Sequence, residues 1–100
     1  MVDWEFKEKY DLNDFIRIID VLRGPGGCPW DIKQTHESLK VNAVEEAWEV
    51  VDAIDEGSAA HLREELGDLL MQVIFHASIE KERGGFTLDD VADEAVRKLV

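Results

Sequence analysis

Apolar residues recur along this chain at intervals of three and four, and no stretch sustains the alternation of a half-buried strand, so the pattern predicts an all-α fold of four helices. The first runs from about Asp11 to Arg23, with Asp11 as N-cap and Leu12, Phe15, Ile16, Ile19 and Leu22 on one face. Gly24-Pro25-Gly26-Gly27-Cys28-Pro29 stops it, and Trp30 closes that loop ahead of Asp31-Ile32-Lys33-Gln34, a capping-box-like start. The second helix covers about His36 to Glu56 and ends at Gly57; the third follows Ser58 and continues to about Arg83, where Gly84-Gly85 stops it. Thr87 caps the fourth, with Asp90 at its third position and Phe86 and Val91 set as a hydrophobic staple. That helix is still running at Val100, so the expectation is one bundle-like domain over residues 1–100, complete or cut short at its C-terminus.

Polar residues interrupt the pattern in two places. In the second helix Leu39, Ala43, Ala47, Val50 and Ile54 share a face, with Glu45 and Glu49 on the polar side, yet Glu46 falls beside Leu39 and Val50 at the apolar border. The third helix is apolar nearly all round from Leu69 to Ile79, as a helix central to a core or interface would be. Down it runs a narrow polar stripe of His61, Glu65, Asp68, Gln72 and His76. Glu65 and Asp68 therefore enter a buried region as neighbours, which is costly without compensation, and few lysines or arginines stand near them in sequence. Glu46-x-x-Glu49 and Glu65-x-x-Asp68 would face each other across a hairpin closed by Gly57-Ser58.

A hard divalent cation would relieve the repulsion, because Mg²⁺ and Mn²⁺ take carboxylate oxygens and keep waters that a substrate phosphate can replace. Salt-bridged or partly protonated acids are the other reading, and both stay open on the residues alone. A di-iron bundle is disfavoured, since neither Glu46 nor Glu65 has a histidine three residues later.

Charge sharpens the choice of partner. The 100 residues hold 23 Asp and Glu against 11 Lys and Arg, a net charge of −12, and such a field repels nucleic-acid backbones and anionic membranes. Any phosphate-bearing substrate would need a cation as intermediary. The lone Cys28 cannot form an internal disulfide and is read as structural. No basic, apolar leader opens the chain, and Leu69 to Ile79 is too short to span a bilayer, so a cytoplasmic location is expected. A third helix apolar on almost every side, in so short a chain, calls for a second subunit: a homodimer or dimer of dimers, with Phe75 or Ile79 as candidate contacts.

Several segments together resemble the MazG-type, all-α nucleoside triphosphate pyrophosphohydrolases. They are Gly27-Cys28-Pro29-Trp30-Asp31, Gln34-Thr35-His36, Glu45-Glu46-Ala47-Trp48-Glu49, Glu65-Leu66-Gly67-Asp68-Leu69-Leu70, Gly85-Phe86-Thr87 and Lys98-Leu99, covering most of the chain from about Leu22 onward. The resemblance implies Mg²⁺-dependent hydrolysis of nucleoside triphosphates to monophosphate and pyrophosphate by associating helical protomers. Carried over by position, Glu46, Glu49, Glu65 and Asp68 match the metal-binding carboxylates, and Glu45, the adjacent acid, is the candidate to orient or deprotonate the attacking water. The family pattern often continues into an Arg-Arg-His-Pro segment that this chain does not contain, and long members carry two such domains.

Trp30, closing its loop, is expected to pack that loop onto the core, with stacking on a nucleobase as the alternative. Trp48 reads as a core or subunit contact, and His61 and His76 as satisfied histidines rather than ligands. Lys33, Arg97 and Lys98 are candidates for phosphate contact, each equally readable as a solvated charge. The rival class is a metal-free helical dimerisation or regulatory module without turnover.

Overall fold

The computed structural model describes residues 4–100; Met1, Val2 and Asp3, part of the start read for a leader, lie outside the described residues. Five helices follow one another: α1 (Leu12–Arg23), α2 (Pro29–Lys33), α3 (His36–Glu56), α4 (Ala59–Glu82) and α5 (Leu88–Leu99). The all-α expectation holds, with one short helix more than periodicity predicts. Sequence-coded ends account for the long ones. Asp11, Thr35 and Thr87 each close a capping box with Asp14, Ser38 and Asp90, and the Ser58 hydroxyl accepts from the His61 N–H. Gly57 ends α3 at φ 74°, a left-handed conformation that glycine adopts without a Cβ clash.

The additional helix, α2, has Pro29 in its first turn and only five residues, too few to hold without tertiary support. Arg23, at the end of α1, supplies it. Its Nη1 donates to the carbonyls of Asp31 at 2.7 Å and Gln34 at 3.0 Å, its Nε reaches Glu82 on α4 at 2.8 Å, and the guanidinium lies 5.3 Å from the centre of the Phe75 ring. The loop leading in is equally tight: a Cβ on Gly27 would stand 2.3 Å from the Leu22 carbonyl oxygen, so only glycine fits. Trp30 is 57% exposed and does not pack this loop onto the core; Arg23 performs that role.

α3 and α4 form the predicted antiparallel hairpin, and α1 and α5 pack on α4. Ile19, Leu39, Ile74, Phe75 and Ile79 make the core, edged by Phe15, Ile16, Ile18 and Leu88. Ser78 and Lys81 on α4 both bond Asp20 on α1, fastening the two helices beside that core. Asp14, buried within its own capping box, is further held by Lys7 at 2.8 Å. Phe75 and Ile79 lie inside the protomer and are not available as subunit contacts.

α3 is turned differently from its expected face. Leu39, Ala43, Glu46, Val50 and Ala53 point inward, whereas Ala47 and Ile54 are exposed. The helix carries apolar residues on two sides and a single chain covers only one. The uncovered side shows Val41, Val44, Trp48, Val51 and Ile54, so Trp48 is not a core residue. A radius of gyration of 14.8 Å, against about 13 Å for a compact chain of this length, reflects the open arrangement.

Candidate metal centre

Glu46 and Glu49 lie one turn apart on α3, Glu65 and Asp68 one turn apart on α4, and the hairpin brings all four together. One oxygen from each lies within 4.8 Å of the others. Burial is uneven: Glu65 is only 6% exposed, Glu46 and Asp68 are half-buried, and Glu49 faces outward. Glu46 Oε2 and Glu65 Oε2 are buried without a hydrogen-bond partner. Among the described residues no lysine or arginine pairs with any of the four; the nearest basic side chain is the His61 imidazole, whose Nε2 is 3.3 Å from Glu65.

The electrostatic consequence is that protons are held tightly. A hydrogen bond with Glu49, then burial and the charges of Glu49 and Asp68, raise the Glu65 carboxyl to about 6. Burial, followed by the charges of Glu49, Asp68 and Glu45, moves the Glu46 carboxyl upward as well. Four hard oxygen donors, two of them orphaned in the interior, with no protein cation to neutralise them, fit the needs of a divalent ion such as Mg²⁺ or Mn²⁺.

The surrounding candidates divide. Glu45 is exposed on α3 beside this cluster. Trp30 and Lys33 project from α2, Lys33 lining a cleft of about 320 Å³ with Arg23, His36 and Arg83. Arg97 is engaged with Asp93 at 2.8 Å on α5, and Lys98 is exposed on the same helix; no ion pair links Lys33, Arg97 or Lys98 to the four carboxylates. His61 is satisfied by Glu56 and Glu65, and its hydrogen bond to the Glu56 carboxylate raises its basicity.

His76 leaves the acidic stripe's chemistry altogether. Its Nδ1 is 2.7 Å from Nδ1 of His36, whose Nε2 is 2.5 Å from Glu80, tying the start of α3 to the end of α4. Burial and the neighbouring His36 lower its basicity. Motif spacing did not suggest this pairing. Sequence reasoning also passed over Gln72 as a functional group, although it stands on the polar stripe one turn beyond Asp68; its Oε1 is buried and unpartnered.

Residues 34–100 match the family described as the MazG nucleotide pyrophosphohydrolase domain. The chain is 51% identical over 87 residues to the nucleoside triphosphate pyrophosphohydrolase/pyrophosphatase MazG of Thermotoga maritima, covering 87% of this chain and 34% of that protein. It is 50% identical over 90 residues to the nucleoside triphosphate pyrophosphohydrolase of Mycobacterium tuberculosis, covering 88% and 27%. An uncharacterized Bacillus subtilis protein, YabN, is 50% identical over 91 residues, covering 91% and 19%. The chain thus spans about a fifth to a third of the length of these relatives. It belongs to the MazG nucleotide pyrophosphohydrolase domain family.

Proposed function

We propose that this domain hydrolyses nucleoside triphosphates, ribo or deoxyribo, to the monophosphate and pyrophosphate, with Mg²⁺ as the resident cation and Mn²⁺ as a substitute. The observation that carries the reading is the cluster of four carboxylates with buried, unpartnered oxygens in a chain of this family. Glu46, Glu49, Glu65 and Asp68 would hold the cation. When bound, it supplies the positive charge that lets a strongly acidic protein accept a triphosphate and offsets charge developing on the phosphoryl oxygens.

The chain's own residues do the rest. Glu45, exposed beside the cluster, accepts a proton from the attacking water or orients it, with Glu49 as the alternative. Trp30 is the candidate to stack on the base, and Lys33, Arg97 and Lys98 the candidates to meet phosphate oxygens. Water attacks the α or the β phosphorus, the anhydride bond between the two breaks, and monophosphate and pyrophosphate leave. The reading also includes a homodimer or dimer of dimers joined through the open face of α3, a cytoplasmic location, and no role for nucleic acid or membrane; no helix of the described residues is long and apolar enough to cross one.

The test is incubation of the purified protein with a nucleotide panel and Mg²⁺, products being separated by chromatography. Monophosphate and pyrophosphate are expected, with little orthophosphate, and ¹⁸O-water identifies the phosphorus attacked. Diphosphate and orthophosphate would refute the assignment. Binding of metal and nucleotide without turnover would favour the regulatory module instead.

A further inference from the structure

The carboxylate cluster does not end the polar seam between α3 and α4. One helical turn beyond Asp68, about 6 Å along the axis, stands Gln72, and one turn before Glu46 stands the half-buried Asn42. The helices are antiparallel, as the His36 contact with His76 also requires, so both amides lie at the same end of the cluster. The opposite end is closed by the hairpin turn at Gly57 and by the pairing of His61 with Glu56 and Glu65. Gln72 is half-buried, but its Oε1 is fully removed from solvent and accepts no hydrogen bond. A buried acceptor left unpaired weakens the free protein, and such a group calls for a donor that arrives from outside.

We infer that Gln72 is a specificity-determining residue that accepts a hydrogen bond from the nucleoside part of the substrate, a sugar hydroxyl or a base N–H. The inference rests on the triphosphate reading above: with the phosphates at the four carboxylates, the nucleoside lies along the seam toward its amide-bearing end, short of the His36–His76 pair. A phosphate oxygen, having no proton at neutral pH, cannot satisfy Oε1, whereas a hydroxyl or ring N–H can. The contact adds binding energy remote from the reacting phosphorus, so it acts on affinity.

The test is calorimetric titration of non-hydrolysable α,β-methylene triphosphate analogues with Mg²⁺ into wild type, Gln72→Met and Gln72→Leu. Affinity should fall about five- to tenfold in both variants, the loss of one net hydrogen bond. Their melting temperature without metal or nucleotide should equal or exceed that of wild type, because an unpaired buried acceptor has been removed. The Mg²⁺-induced rise in melting temperature should persist. If the loss is seen with ribo but not 2′-deoxy analogues, the donor is the 2′-hydroxyl; if it follows the base instead, the donor is a base N–H. Unchanged affinity for every analogue would overturn the inference while leaving the triphosphate reading intact. Lower stability, or failure to fold, would overturn it by showing that the amide is structural. Absence of nucleotide binding by wild type would refute the triphosphate reading itself.

Discussion

Single side chains in the acidic cluster are set against the stability of the empty protein. The Glu65 carboxyl, raised from 4.5 to about 6, favours the folded state fully below pH 4.5, and that contribution is lost as pH rises through about 6. In the presence of a chelator, Glu65→Gln should therefore melt above wild type at pH 7, and the gap should narrow as pH is lowered to 5. Comparing the two proteins isolates this effect from His76, whose lowered basicity acts with the opposite sign, removing stability as pH falls below its ordinary value near 6.5. Metal should reverse the ranking. Mg²⁺ or Mn²⁺ should raise the melting temperature of wild type, and Glu46→Gln or Asp68→Asn should abolish the increment. Thermal scans with and without the ion decide this, and calorimetry showing no divalent-ion binding even with nucleotide present would eliminate the site.

At the scale of the helices, Arg23 decides whether α2 exists. It is buried, and three acceptors in α2, the following residue and α4 depend on it. Arg23→Met keeps its bulk and removes its donors, and should cost about 2–3 kcal/mol by denaturant unfolding, most of it from two carbonyls losing a charged partner. Amide exchange should accelerate from Trp30 to Lys33 before it does elsewhere. Arg23→Lys should rescue only part of the loss, since one ammonium cannot reach in three directions from the same position.

For the molecule as a whole, the open side of α3 is the feature that a lone 11.4 kDa chain leaves unresolved. Trp48 at 64% exposure, with Val41, Val44 and Val51 beside it, forms an apolar strip on one helix. Sedimentation should find a dimer or tetramer at micromolar concentration, and Trp48→Asp or Val44→Asp should release a folded monomer. Phe75→Asp should instead unfold the chain, because Phe75 is buried within its own core. A wild-type monomer would count against the proposed assembly.

The acidic and apolar periodicities determined much by themselves: which segments are helical, where capping residues begin and end them, and that Glu46, Glu49, Glu65 and Asp68 fall on facing turns of a hairpin. These follow from local geometry, since i and i+3 share a helix face wherever the helix sits. The rotation of α3 did not follow, because two apolar sides give two self-consistent faces and only packing against α4 selects the one holding Glu46. Helix α2, the exposure of Trp30, the union of His36 with His76 and Glu80, and the unpaired carbonyl of Gln72 were also decided by tertiary structure. Each depends on groups far apart in sequence, where a hydrogen bond, or the lack of one, leaves no local periodicity to read.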